Sequence, residues 1–402
     1  MPVMMHLVSL QQAAGVEAHF GAFVRQARSS APRFTHGWLN AAGSPHPFIA
    51  AQLAGQLSCT VAAKRRWGIK LPARPERLRT WHCRRELAAA NAAVLVIWNR
   101  TARVGFALDA MGDERCIHWE HGAAWDVGRE AERQRYLDRV PMAIANSTAA
   151  ARVLQLMWNY RGDVRVCRNA LRPSLVPPSS VVKRYPNGRI TLGVAARLFP
   201  VKGVALALQA VALLAQAHDV RLLVAGAGPE LPRLQALAVK LGIGDRVTFL
   251  GAVSDMAAFY RNVDCLLHPP ITEAFGLVAI EAAAHGCPVV AAAVDGLPEA
   301  VADGVSGWCI VPTLPLKAYV ELGGSLEGLP ERVYAPGRDA LVEPQAVDPT
   351  EMARAVERLF RDAPTFDSVS SATSAHALRG ADFAAHVRDV LNVIDEFLAR
   401  RG

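Results

Sequence analysis

What is scarce in this 402-residue chain narrows its class before any motif is considered. Cysteine is sparse and unpatterned: the seven residues, at 59, 83, 116, 167, 265, 287 and 309, are odd in number, widely spaced and never in a CxxC. That excludes a disulfide scaffold or a zinc ribbon and leaves reduced thiols serving as small core residues. Long apolar runs are missing as well. The best of them, Ala88 to Trp98, carries Asn91 and falls short of the ~18–20 residues a bilayer span needs. The start, Met1 to His6, has neither the basic segment nor the long apolar stretch of a secretory signal, so a cytosolic chain is expected. No repeat with a period of 20–50 residues is visible, which excludes a solenoid. Against 7% aromatic and 20% charged residues stand 51% hydrophobic ones. Such a chain is not disordered, and its composition suits an Ala/Leu/Val-packed helix-on-sheet core.

Acidic residues are short in one half only. Residues 1–172 hold 24 Lys+Arg against 12 Asp+Glu and the remainder hold 20 against 24, so +12 and −4 sum to the overall +8. The excess is concentrated in Lys64, Arg65, Arg66, Lys70, Arg74, Arg77, Arg79, Arg84 and Arg85, with Trp67 and Trp81 among them and Glu76 as the only acid. Cations interleaved with Trp suit an anionic membrane surface, where rings sit at headgroup level and bases meet lipid phosphates. Nucleic acid would offer the same sequence-blind phosphate attraction, and a solvated loop with surplus charge is the plain alternative. The membrane or acceptor role is the one expected for Lys64, Arg65, Arg66, Trp67 and Lys70, with no nucleic-acid partner.

Apolar strand-like runs alternate with amphipathic helix-like runs in both halves, which points to α/β domains with parallel sheets. In the first half the strands fall at Val3–Ser9, Ala93–Trp98, Arg115–His118, Met142–Ala145 and Val164–Cys167. Past the Pro-rich joint at 172–178 they fall at Ile190–Ala195, Arg221–Ala225, Val247–Leu250, Cys265–Leu267, Pro288–Ala291 and Trp308–Val311. The expected organisation is an N-terminal domain over 1–172, a linker over 173–189 and a second domain over 190–378. Residues 312–349 form an irregular Gly/Pro-rich insertion in the latter, a Ser/Thr-rich bridge follows residue 361, and a final helix over 379–402 returns to the first domain. Open α/β sheets bind ligands at the carboxyl ends of their strands, so the active site is expected in a cleft between two facing doubly wound domains.

The densest chemistry lies in Glu273-Ala274-Phe275-Gly276-Leu277-Val278-Ala279-Ile280-Glu281, two carboxylates flanking a helix entrance. Gly276 admits close backbone approach there, and free amides at a helix start favour phosphate. About seventy residues earlier, Arg197 and Lys202 stand in the loop after a strand, in Arg197-Leu198-Phe199-Pro200-Val201-Lys202-Gly203, and two cations suit a diphosphate. With these motifs in order, and with Gly226-Ala227-Gly228-Pro229, Gly286-Cys287-Pro288 and Gly296-Leu297-Pro298-Glu299 between and after them, the chain resembles the family-4 retaining glycosyltransferases of the GT-B fold over about 190–312. The resemblance implies that Arg197 and Lys202 hold the diphosphate of a nucleotide sugar of UDP or GDP type and carry catalysis by stabilising its departing charge. It also implies that Glu281 takes the ribose hydroxyls, that Glu273 with the backbone of Ala274, Phe275, Gly276 and Leu277 grips the sugar, and that Val253 lies near the base. In the first half it implies a backbone approach at Gly15, although Ala14 replaces an expected glycine, and a catalytic histidine, His121, with His118 as second choice. The reaction implied is metal-independent sugar transfer to a glycan or lipid-linked acceptor, with no cofactor beyond the donor. Surface polysaccharide or lipopolysaccharide synthesis at the inner face of the cytoplasmic membrane fits best.

Four rivals are weaker. Gly226-x-Gly228 lacks the third glycine of a dinucleotide fingerprint, where Leu231 stands instead. His118, Glu120 and His121 lack zinc-ligand spacing. An epimerase or hydrolase of the same fold would need a carboxylate pair that the first half does not display. A membrane-binding module with a vestigial donor site would not be expected to keep Arg197, Lys202, Glu273 and Glu281 together.

Overall fold

The structure, a computed structural model, describes residues 1–12, 15–30, 33–66, 69–72 and 76–400. The chain divides into two compact units, Met1–Arg172 with Phe383–Gly402, and Pro173–Asp382.

In chain order the first unit contains β1 (Val3–Leu7), α1 (Gly15–Ser30), β2 (Thr35–Asn40), α2 (Pro47–Leu53), β3 (Cys59–Ala62), β4 (Arg65–Arg66) and β5 (Ile69–Lys70). It continues with α3 (Arg77–Ala89), β6 (Ala92–Trp98), α4 (Gly105–Met111), β7 (Cys116–Glu120), α5 (Glu130–Leu137), β8 (Met142–Ala145), α6 (Thr148–Trp158) and β9 (Asp163–Val166). Seven strands form one parallel sheet in the order β3-β2-β1-β6-β7-β8-β9. Strand β6 is an apolar run buried almost throughout, as a central parallel strand covered on both faces must be. Ser147 caps α6 by accepting the Ala150 amide at 2.9 Å, as the Asn146-Ser147-Thr148 stretch suggests.

The second unit runs β10 (Ile190–Ala195), α7 (Val204–Leu214), β11 (Val220–Ala225), α8 (Leu231–Lys240), β12 (Val247–Gly251), α9 (Met256–Arg261), β13 (Cys265–His268), α10 (Leu277–Ala284), β14 (Val289–Ala292), α11 (Leu297–Ala300) and β15 (Gly307–Ile310). Its parallel sheet has the order β12-β11-β10-β13-β14-β15. In both sheets the order reverses beside the unit's first strand, at β1/β6 and at β10/β13, and such switch points open a crevice at the carboxyl ends of the strands.

Three expectations need correction. The segment 312–349 is not irregular throughout: it folds as β16 (Leu314–Pro315), α12 (Leu316–Glu321), the hairpin β17 (Val333–Ala335) and β18 (Ala340–Val342), and β19 (Gln345–Ala346), which pairs with β16. After α13 (Pro349–Leu359), the Ser/Thr-rich stretch is no bridge but the helix α14 (Ala363–Arg379). Its buried face is built from Ser370, Thr373 and Ser374 around Phe366. The expected linker is not free either, because the Val181 and Lys183 amides donate to Ser374 and Ser370 and the Tyr185 amide donates to Asp367, all on α14. The last helix, α15 (Phe383–Ala399), joins the first unit: Phe383, Val387, Val390, Leu391, Ile394 and Phe397 are buried with Phe20, Phe23 and Val24 of α1. Each such side chain contributes about 1.5–3 kcal/mol on burial.

Candidate active site

The β10/β13 switch point brings together the second unit's candidate residues. Arg197 and Lys202 lie in the loop after β10, and Glu273 lies in the loop after β13. The two loops are stitched together. The Ile271 amide donates to the Val201 carbonyl at 2.8 Å, and a Cβ on Gly203, whose φ is +64°, would stand 1.9 Å from the Pro269 carbonyl oxygen. Only glycine permits that approach. The first loop is also pressed by the β11–α8 turn: a Cβ on Gly226 would lie 1.8 Å from the Ala196 oxygen and one on Gly228 would lie 2.3 Å from the Leu198 oxygen. The paired glycines therefore serve packing beneath the Arg197 loop.

Across these loops Lys202 Nζ meets Glu273 Oε2 at 2.8 Å, and His268 Nε2 lies 3.4 Å from the same oxygen. Burial opposes ionisation of Glu273, but the Lys202 charge and His268 overcome it and hold the carboxyl well below the usual range. Lys202 and Glu273, expected to hold different parts of a ligand, are thus partners of each other. Arg197 is exposed, with its guanidinium 5.4 Å from the centroid of the Phe199 ring. Ala274 and Phe275 are buried, and Gly276, at φ +97°, opens α10, whose first residue is Leu277. Glu281 is only 4% exposed on α10 and accepts from the Tyr260 hydroxyl at 3.0 Å. Val253 is half-buried against the core, two residues before Asp255, which caps α9 through the Ala258 amide.

Sequence reasoning missed Asp295. It is buried at φ +47°, and one carboxylate oxygen accepts from the Thr272 hydroxyl at 2.5 Å and the Glu273 amide at 3.0 Å. The other oxygen accepts from the Tyr334 amide at 2.7 Å, while the Asp295 amide donates to the Tyr334 carbonyl at 2.9 Å. The inserted hairpin is thereby fastened to the Glu273 loop. The insertion also supports the other loop, through the Tyr319 hydroxyl on the Pro200 carbonyl at 2.6 Å. No local pattern signals this, because Thr272, Glu273 and Tyr334 lie 22 to 39 residues from Asp295.

In the first unit, Gly15 opens α1, while Ala14 and Trp67 lie outside the described residues. His121 follows β7; its amide donates to Asn99 Oδ1 at 3.1 Å, its ring stacks on Trp98 at 5.5 Å, and its Nε2 is buried with no protein hydrogen bond. Burial pushes its pKa down to about 3, so the ring is neutral at pH 7. His118, the second choice, is a core residue, bonded to Glu120 at 2.9 Å and to the Tyr136 hydroxyl at 3.1 Å. Among the described residues, no three His, Cys, Asp or Glu side chains form a group that fits a metal ion. Arg65–Arg66 and Ile69–Lys70 form a short antiparallel hairpin, with Ile69 70% exposed. Trp81 is 50% exposed beneath the Arg66 guanidinium, 5.0 Å from its ring. No helix among the described residues is long and apolar enough to cross a membrane.

Two Rossmann-like units, each built on a parallel sheet with a switch point, are the architecture of the GT-B class of glycosyltransferase folds. The comparisons agree. Residues 179–322 match the family model for glycosyl transferases group 1. The D-inositol 3-phosphate glycosyltransferase of Mycolicibacterium smegmatis is 38% identical over 193 residues, 44% of each chain. That of Streptomyces griseus is 30% identical over 339 residues, 78% of this chain and 67% of the relative. The chain accordingly belongs to the group 1 glycosyltransferases, though it spans less than half the length of the M. smegmatis relative it matches. Among solved structures, Anabaena Alr3699/HepE in complex with UDP and glucose superposes with a TM-score of 0.72 at 18% identity, covering 98% of this chain and all of the other.

Proposed function

We propose that the protein transfers a sugar from a nucleoside-diphosphate sugar to a hydroxylated acceptor, with retention of anomeric configuration and without a metal ion. The observation that carries this reading is the convergence of Lys202, Glu273 and the Arg197 loop at the β10/β13 switch point, stitched by Val201 and Ile271. Arg197 and Lys202 supply positive charge for the departing diphosphate, and preorganised charge of this kind commonly accounts for about 10²–10³ in rate. The amides entering α10 add donors at the same place. On this reading Glu273, held as an anion by Lys202, accepts from sugar hydroxyls and does not attack the anomeric carbon, and the leaving phosphate takes the acceptor's proton. Glu281 is the candidate for the ribose, and neutral His121 for a polar contact to the sugar.

On this reading the acceptor is a glycan or lipid-linked molecule of surface polysaccharide or lipopolysaccharide synthesis, met at the inner face of the cytoplasmic membrane. The basic hairpin and the exposed Ile69 and Trp81 support contact with that surface. The names of the curated relatives favour a second acceptor, a small phosphorylated polyol. Incubation with UDP- and GDP-sugars, with EDTA, against both acceptor types tests the proposal: nucleotide release and an α-configured product from an α-donor are expected, and both are lost in Lys202→Ala. Transfer undiminished in that variant would refute the site, and an inverted product would refute retention.

A further inference from the structure

Between Cys59 and Phe106 the chain carries eleven Lys and Arg (64, 65, 66, 70, 74, 77, 79, 84, 85, 100 and 103) against only Glu76 and Glu86. The fold gathers four of these bases from three separate segments at one end of the first unit's sheet. Lys64 follows the carboxyl end of β3, Arg79 lies in the first turn of α3, and Arg100 and Arg103 occupy the loop between β6 and α4.

Contacts around α3 tie these segments together. His82 Nε2 is 3.2 Å from the Ala62 carbonyl and the Cys83 thiol reaches the Ala63 carbonyl, so α3 is seated on the chain leading into Lys64. The Arg79 guanidinium donates to the Pro72 carbonyl, after β5, at 3.4 Å and lies 5.8 Å from the Phe106 ring at the start of α4, tying α3 to both. Its Nε is buried with no hydrogen-bond partner. Arg103 holds a left-handed φ of +57°, unusual for a long side chain.

Among the described residues one carboxylate borders the cluster, on its Arg103 side: Glu132 receives the Arg103 backbone amide and is shared with the Arg129 guanidinium. Glu86 faces His82 at 3.9 Å. The residues of this stretch outside the described ones, 67, 68 and 73–75, include no acid. Burial, and then the charges of Arg100, Arg79, Arg103 and Lys70, lower the pKa of Lys64. Four like charges with a single, already paired carboxylate at their edge oppose folding unless a further anion completes them. An Arg fork with an open donor matches tetrahedral phosphate oxygens.

We infer that Lys64, Arg79 and Arg100, flanked by Arg103, form a binding site for a phosphate group of the acceptor. This deepens the proposed transferase reading by naming the acceptor class as a phosphorylated one, either a lipid headgroup or a soluble phosphomonoester.

The full chain is titrated with inorganic phosphate by calorimetry, as wild type, as Lys64→Gln with Arg100→Gln, and as Arg197→Gln, which removes a cation of the donor loop instead. Expected are saturable binding by wild type and Arg197→Gln and a loss of about tenfold or more in the double variant. Arg100→Lys on a Lys64 background should restore part of the affinity. In phosphate-free buffer the double variant should unfold at the same temperature as wild type or higher, whereas residues with a purely structural role would lower it. Equal phosphate affinity in wild type and the double variant, or loss in Arg197→Gln alone, overturns the site. Vesicles of phosphatidylcholine with phosphatidic acid and a soluble inositol phosphate then separate the sources: retention on the vesicles that is lost in the double variant identifies a headgroup, and binding of the soluble ligand alone identifies a free phosphomonoester. UDP titrated in parallel keeps the two readings apart, since absent UDP binding with intact phosphate binding removes the donor site and leaves this one.

Discussion

Asp295 offers a sharp test of how the proposed donor loops are held. In Asp295→Ala the Thr272 hydroxyl and the amides of Glu273 and Tyr334 lose their acceptor together. Leaving a buried donor unsatisfied costs about 1–3 kcal/mol. Three such losses sum to about 3–9 kcal/mol, and relaxation within one network places the measured value toward the lower end. Alanine keeps the backbone at a left-handed φ with no side-chain oxygen to favour it, which adds about 1 kcal/mol. A loss of about 4 kcal/mol in urea-induced unfolding of the second unit is expected. Because the Glu273 amide is one of the released groups, the donor KM should rise more than kcat falls, and Asp295→Asn, which keeps one carbonyl acceptor, should recover part of both. A stability change below 1 kcal/mol with an unchanged donor KM would refute the bracing argument, and the inserted hairpin would then have no bearing on the site.

Other consequences follow from the same contacts. Lys202→Ala leaves Glu273 facing only His268, so stability should fall by about 3 kcal/mol, the low end for breaking a buried pair, and Glu273→Gln should cost less because the Gln carbonyl oxygen can still accept from Lys202; thermal unfolding of both variants checks the order. Gly203→Ala and Gly226→Ala force a Cβ against backbone oxygens at 1.9 and 1.8 Å, and both should reduce soluble yield and unfolding temperature, while Gly304→Ala, with nothing near its Cβ, should lose only the few tenths to about 1 kcal/mol of a strained φ. The first unit should be acid-sensitive. Burial holds the pKa of His36 and of His386 down at about 4, so the fold favours their neutral forms. Their contribution is complete above about pH 6.5 and is lost as pH falls toward 4. At pH 5 each costs about 2 kcal/mol, from 1.5 units at 1.36 kcal/mol. His36 alone should lower the unfolding temperature by about 4–8 °C between pH 7 and 5. A flat profile over that interval would contradict the burial argument.

Much of the second unit was legible in sequence because its central strands are buried on both faces and read as largely apolar runs, as in Val289–Ala292. In the first unit β2 escaped notice, since Thr35, His36 and Asn40 interrupt its run. The fold accommodates His36 by pairing its Nδ1 with His6 Nε2 at 2.9 Å, a partner thirty residues away. Helix α14 escaped for a related reason: its inner face is made of small hydroxyl residues, whose worth lies in bonds to residues 181, 183 and 286 rather than in an apolar stripe. At the site, Arg197, Lys202, Glu273 and Glu281 could be named from spacing, whereas the Lys202–Glu273 ion pair, the burial of Glu281 beside Tyr260 and the hold of Asp295 are products of tertiary folding.

The central claim is that the β10/β13 switch point binds a nucleoside-diphosphate sugar. Its most direct test is thermal unfolding of the full chain against UDP, GDP, ADP and their sugar derivatives, with and without EDTA, for wild type and Glu281→Ala. One nucleotide class at a hundredfold excess over its Kd should stabilise wild type by about 2.7 kcal/mol, unaffected by EDTA and diminished in Glu281→Ala. No shift with any nucleotide, or an equal shift in the variant, would contradict the account.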